Sequence, residues 1–566
     1  LRFVSDKEAV GRADFVAGFA GLKFTIHFTA VFDDIPTSRG VWSDGTAHPG
    51  GLDVVAGDGG DAGLYADFTP GAKVGLRVGV SYTSIEQARR NLEASNGLTF
   101  EQVRSRAENL WQERLDSIVV EGGTDAQQRQ FYTALYHTLL TPTDVTGDNG
   151  GWTDGEAYWD IHTLWDTFRT KDPLFILIEP ERERGIIRML LDVFKRNGWV
   201  PDSWVYNRSG IAFQGGTSFD NLVSDAVVKG LGGFDEHLAY EAIRKNATLP
   251  KPGGHPLFPD EGRLEPYFRL GYVPSVIYGA KDSEGCQPNS WSAASSRTLE
   301  YAYNDFCVSQ VAEALGESAD AARFRDRSLS AYKLFHPQKM LFWGKTESGE
   351  WIPDADPAEK TMGWRPIFYE GSAWQYRFSM PHDIAGLIAR VGGNSAFLKL
   401  LDEYFDRGLH WQGNEPGFLT PWLHVFAGRP DLNVDRVRAI MAKDFRLAPA
   451  GYPGDEDTGA MSAWYLFAAM GFFPVAGQNV YLLASPFFSK VTIRLGTSGK
   501  TFVVSAPDVS PENKYVQSAA LNGRPWDRAW FEHSDIADGG NLELLMGPEP
   551  SDWGTKVPPP SLTSSR

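Results

Sequence analysis

The 566-residue chain has only two cysteines, Cys286 and Cys307, which excludes a disulfide framework, and their spacing matches no zinc-binding pattern. Long apolar runs are missing too. The longest, around Ala463 to Val475, is interrupted by Gly471 and Pro474, so no segment reads as a membrane span; Leu1 opens the chain without Met or a signal peptide. Basic charge is in deficit, with 54 Lys and Arg against 72 Asp and Glu and a formal charge of −18, which argues against a sequence-independent grip on nucleic acid or an anionic membrane. Aromatic residues are plentiful, at 13% and including 18 Trp. Most belong in cores, and the remainder suit stacking on sugar faces or nucleobases. Length and a 42% hydrophobic content together call for two or three domains with substantial cores.

Short alternating runs such as Lys23 to Thr29, Gly63 to Phe68 and Lys73 to Ser81, separated by Gly, Asp and Pro, predict an antiparallel β-sandwich portion over residues 1–95. The Gly57 to Asp61 stretch reads as a loop, because a calcium-binding glycine repeat would recur. Residues 96–118 predict linker helices, and helical spacing then continues through 119–486. About a dozen helices joined by long Gly-, Pro- and Trp-rich loops fit a closed double ring whose loops build a site at one end. Alternation returns in a small β region over 487–566, with a frayed Pro- and Ser-rich tail.

Four segments carry chemistry. Gly454-Asp455-Glu456-Asp457-Thr458-Gly459 packs three carboxylates before an apolar helix, where free N–H groups and the positive helix end would keep them ionised as bases or metal ligands. The plainer reading is a helix cap supplied by Asp457 or Thr458, but one cap does not account for three carboxylates. Glu370, flanked by Tyr369, Trp374 and Tyr376, has the surroundings that raise a carboxyl pKa for a general acid, although a lone Glu at such a junction is commonly solvent-facing. Asn414 and Glu415 offer hard oxygen donors beside Pro416, as a metal site or as an ordinary capped turn. Asp166 and Arg169, one helical turn apart beside Trp165, make either a surface pair or a grip on sugar hydroxyls, with Trp152 and Trp159 upstream.

Taken in order, these strings resemble glycoside hydrolase family 92, the calcium-dependent exo-α-mannosidases that invert the anomeric centre. The most specific block runs from Gly454 through Ser462-Ala463-Trp464-Tyr465 and Gly471-Phe472-Phe473-Pro474 to Ser485-Pro486. The resemblance implies a multidomain α+β fold: an N-terminal β-sandwich, here incomplete, packed on an (α/α)6 barrel, with a small C-terminal β region and one Ca²⁺ in the site. It further implies Glu370 as general acid and Asp457, assisted by Asp455, as the base. Glu415 and Asn414 would lie in the metal shell, and Asp166, Arg169, Trp165 and Trp374 around the terminal mannose. The implied substrates are mannose-containing glycans met outside the cell or in its envelope. After Pro416 the family often has a His pair, where this chain has Gly417-Phe418-Leu419-Thr420, which leaves linkage and aglycone open, a mannosyl phosphodiester included. The rival readings are a mannose-glycan-binding protein that has lost catalysis, and a lyase or phosphorylase on the same scaffold.

Overall fold

The computed structural model describes residues 1–16, 23–57, 59–148, 157–206, 208–210, 215–249, 264–275, 293–353, 356–359, 361–364 and 367–565. Asp58, Trp152 and Cys286 lie outside the described residues; Cys307 is a buried free thiol. Contacts divide the chain into two units.

The first unit comprises Leu1–Arg114, Asp144–Asp160 and Val205–Arg208. It holds a four-stranded antiparallel sheet in the order Arg2–Phe3, Glu8–Val16, Lys23–Phe32, Leu76–Ser81, and a three-stranded sheet in the order Thr46–Pro49, Ser38–Ser43, Ala62–Asp67. The Ile85–Glu93 helix, capped by Ser84, packs on the first sheet. A Cβ on Gly79 would stand 2.1 Å from the Ala88 carbonyl oxygen, so only glycine permits this approach. The Phe100–Leu115 helix has no buried residue. Two later pieces return to this unit: Asp148 accepts hydrogen bonds from Tyr82 N (3.2 Å) and Asn91 Nδ2 (3.0 Å), and Tyr206 stacks on Phe24 at 4.0 Å.

The second unit is the helical region together with the terminal strands. Helices run through it, among them Asp125–Leu140, Pro180–Asn197, Glu236–Asn246 and Asn394–Asp406, and Ala294–Ala314, which is buried almost all round. The Ala460–Met470 helix is buried all round and packs against Asp125–Leu140, Lys171–Ile178 and Pro430–Asp444, so the last long helix meets the first. Among the described residues no single helix is long and apolar enough to cross a membrane.

Three differences from the sequence reading have physical causes. The Lys171–Ile178 helix shows no amphipathic period because every residue in it is buried. The terminal strands do not stand apart: Ile118–Glu121 forms the edge of a six-stranded sheet by pairing with Lys490–Arg494, and contacts group both with the helices. The tail is not frayed. Leu562 N donates to His382 O (2.8 Å), Thr563 N to Asp383 Oδ1 (2.8 Å), and Ser561 Oγ accepts from Ala385 N (2.9 Å), which ties the chain end to the start of the Ile384–Val391 helix.

Candidate active site

The approach to the Ala460–Met470 helix is unusual backbone. Asp457, Thr458 and Gly459 carry φ of 45°, 57° and 100° in succession, and left-handed geometry costs a non-glycine residue roughly 1–2 kcal/mol. Surrounding groups hold it there. The Thr458 carbonyl accepts hydrogen bonds from Lys171 Nζ and from Thr141 Oγ1 (3.0 Å), and the Ala460 carbonyl accepts one from Thr170 Oγ1 (2.8 Å). A Cβ on Gly459 would come within 2.8 Å of Thr138 Cα, which leaves glycine as the residue that fits.

This turn corrects the expected capping. Neither Asp457 nor Thr458 caps the helix; the cap position is Gly459, without a side-chain bond, and Thr458 Oγ1 is buried without a partner. Glu456 does the work instead, accepting from Ser462 N at Oε1 (3.0 Å) and from Ser462 Oγ at Oε2 (3.0 Å), with His137 Nδ1 3.3 Å from Oε2. Of the three carboxylates, then, one serves the helix, Asp455 is exposed, and Asp457 is turned elsewhere.

Asp457 shares its electrostatic environment with Asp166, Glu370 and Glu415. Asp166 comes from the short Leu164–Thr167 helix and is buried. Glu370 sits mid-strand in Tyr369–Gly371 with φ of 43°, a second carboxylate on left-handed backbone. Asn414 Nδ2 donates to both the Glu370 carbonyl (2.8 Å) and its Oε2 (3.2 Å), so this side chain, expected in a metal shell, orients Glu370. Arg169 brings a positive charge to the group. It donates to Glu300 Oε1 at 2.7 Å and lies 4.8 Å from the Trp165 ring centroid and 4.5 Å from that of Phe168. Trp165 packs edge-on against Tyr369 at 5.3 Å, and its buried Nε1 has no acceptor among the described residues. The Trp374 ring faces the guanidinium groups of Arg377 (3.8 Å) and Arg407 (5.0 Å).

The protonation states follow from burial and like charge. Desolvation, then the charges of Asp455 and Glu370, pushes the Asp457 carboxyl up to about 6. Asp166 and Glu415 are driven well above the ordinary carboxyl range, by burial first and by the neighbouring carboxylates next. Burial raises Glu370 as well, against hydrogen bonds from Tyr369 and Asn414 that favour its ionised form. All four carboxyls are thus raised above the ordinary carboxyl range, each by burial first.

A cation would suit this arrangement. Both Glu415 oxygens are buried and take no hydrogen bond from a donor among the described residues, facing the Asp457 carboxyl instead, and the nearby Arg169 is already paired with Glu300. Oxygen donors are what a hard cation such as Ca²⁺ binds. Among the described residues no group of three or more Asp, Glu, His or Cys is arranged to hold a metal by itself, so further oxygens from backbone, water or substrate would have to complete a shell. Glu415 and the Arg169–Glu300 pair also border a cavity otherwise lined largely by apolar groups such as Phe168, Phe418 and Phe473.

Glu300, Lys171 and Thr141 were not singled out from sequence. The available signals were a glutamate within an otherwise buried helix and a lysine leading an apolar run; their partners lie 131 and 287 residues away for Glu300 and Lys171.

Comparison with known proteins agrees with the motif reading. A model of the glycosyl hydrolase family 92 catalytic domain matches residues 87–548. An uncharacterized secreted glycosidase of Arthroderma benhamiae is 34% identical over 535 residues, 88% of this chain; the chain spans 64% of that relative. A family GH92 α-mannosidase of Bacteroides thetaiotaomicron, solved with mannoimidazole, superposes with a TM-score of 0.87 at 28% identity, over 99% of this chain and 75% of that one. A family GH92 inverting mannosidase of the same organism gives 0.86 at 28% identity, over 99% and 78%.

Proposed function

The chain belongs to glycosyl hydrolase family 92, and from that premise we propose that it is a Ca²⁺-dependent exo-α-mannosidase that removes terminal α-linked mannose from glycans with inversion. The observation that carries the reading is the gathering of Asp166, Glu370, Glu415 and Asp457 with Arg169 and Trp165 around one place. Solved relatives described as α-mannosidase and inverting mannosidase support the sugar and the stereochemistry. The secreted description of the Arthroderma relative supports a place outside the cell.

In this reading Glu370, held by Asn414 and with its carboxyl raised by burial, gives a proton to the departing glycosidic oxygen. Asp457 takes a proton from water on the opposite face, with exposed Asp455 assisting. A base that titrates at about 6 is ionised above that pH, so kcat/KM falls as the medium is acidified through it. Asp166 and Arg169 hold hydroxyls of the terminal sugar, with Trp165 or Trp374 near its ring. Glu415, with backbone or substrate oxygens, would hold Ca²⁺, which when bound supplies positive charge and coordination positions for the vicinal O2 and O3 of mannose.

The test is turnover of an aryl α-mannoside. The reading expects aglycone release with Ca²⁺, loss in EDTA, and recovery when Ca²⁺ is restored. Binding of the sugar without release under all three conditions would favour the inactive glycan-binding alternative.

A further inference from the structure

We propose that Lys171 is a positioning residue for Asp457: its buried ammonium group, with the Thr141 hydroxyl, fixes the Thr458 carbonyl and thereby sets the left-handed turn that aims the Asp457 carboxyl. The proposal rests on the reading of Asp457 as the base that activates water.

Lys171 is 2% exposed and stands at the start of the Lys171–Ile178 helix. An ammonium group taken out of water needs acceptors for its protons. It finds the Thr458 carbonyl and Thr141 Oγ1 (3.1 Å), and Thr141 Oγ1 donates to the same carbonyl at 3.0 Å. The preceding residue, Thr170, holds the Ala460 carbonyl at 2.8 Å. Consecutive residues thus pin the two carbonyls on either side of Gly459, where Thr138 closes the remaining space.

Pinning matters because the turn opposes its own local preference. Asp457 and Thr458 have φ of 45° and 57°, and a chain released at the Thr458 carbonyl would relax toward right-handed geometry, swinging the Asp457 Cα–Cβ bond away. Lys171 acts through the backbone. One short segment therefore serves both halves of the site, since Asp166 and Arg169 lie just upstream of the residues that hold the turn.

The rival role is structural: the Lys171 charge also favours ionisation of Asp172 and Glu183, in which case neutralising that buried group would be its whole purpose. Two variants separate the roles. Lys171→Met removes both donor and charge, whereas Lys171→Gln removes the charge and retains an N–H donor. On an aryl α-mannoside at saturating Ca²⁺, Lys171→Met should lose about 10²-fold in kcat, the scale of a roughly 1 Å misplacement, with KM little changed. Lys171→Gln should recover a substantial part of that loss. Thr141→Val, which leaves the buried charges intact, should lower kcat in the same sense by a smaller factor, and it serves if Lys171→Met does not fold.

Wild-type kcat in Lys171→Met, or in Thr141→Val should Lys171→Met not fold, would overturn the proposal. So would a Lys171→Gln variant as impaired as Lys171→Met. An Asp457→Asn control distinguishes the two levels: if it keeps full kcat, the base assignment fails; if it is inactive while Lys171→Met is fully active, only the role of Lys171 fails.

Discussion

At the scale of single residues the site is a set of carboxyls that resist being ionised together. Glu415 is the most exacting of them, 1% exposed, with no donor to either oxygen among the described residues and the Asp457 carboxyl beside it. Its folded-state pKa lies above the unfolded value, so the metal-free folded protein retains a proton that the unfolded chain releases. That contribution to stability is present at low pH and is lost as pH rises from the ordinary carboxyl range toward the raised folded value; Asp166, Glu370 and Asp457 act in the same sense. Glu415→Gln should therefore abolish turnover yet stabilise the EDTA-treated protein at pH 7.5 by about 1–3 kcal/mol, the scale of relieving one unsatisfied buried group. Thermal melts of both proteins at pH 5.5 and 7.5 check this, with the gap between them narrowing at the lower pH. The motif strings made Asp166, Arg169, Glu370, Glu415 and Asp457 legible because each sits in a distinctive local string. Glu300, Lys171 and Thr141 were not legible, since what gives them meaning is a partner far along the chain. Glu456 is not told from its neighbours by sequence, because three adjacent carboxylates look alike until the helix selects one.

Among the elements, the Ala460–Met470 helix links packing to the site. It is wholly buried, and the Glu456 side chain satisfies its first turn through Ser462. Glu456→Ala should cost about 0.5–2 kcal/mol, the usual range for a lost cap, and should lower kcat as well, because the loosened turn carries Asp457. Denaturant unfolding and steady-state kinetics on one preparation measure both. Helices with one apolar face, such as Pro180–Asn197, could be read from their period. Lys171–Ile178 could not, because burial on every side erases the period, nor could Ile118–Glu121, whose pairing partner is Lys490–Arg494.

For the whole molecule, an acidic composition acquires specific meaning in a few buried positions, while most of the −18 charge remains general. The chain end also has a structural role, because Ser561, Leu562 and Thr563 bind around Asp383 at the start of the Ile384–Val391 helix. Removing residues 560–566 should lower the melting temperature measurably and leave KM for an aryl α-mannoside unchanged, as calorimetry and kinetics would report. Composition spoke for a large, acidic, aromatic-rich chain, and the order of the motifs narrowed that to a family; the motifs leave linkage and aglycone open.

The central claim is water attack with inversion, by Glu370 and Asp457, at a Ca²⁺-dependent site. Its most direct test is proton NMR of an aryl α-mannoside during the first minutes of hydrolysis, with wild type and Asp457→Asn, each with Ca²⁺ and with EDTA. The account predicts β-mannose as the first product of the wild type with Ca²⁺, none in EDTA, and a rate for Asp457→Asn reduced by about 10²–10⁴-fold, the range for loss of a general base. First-formed α-mannose, equal turnover in EDTA, or an undiminished Asp457→Asn rate would contradict it.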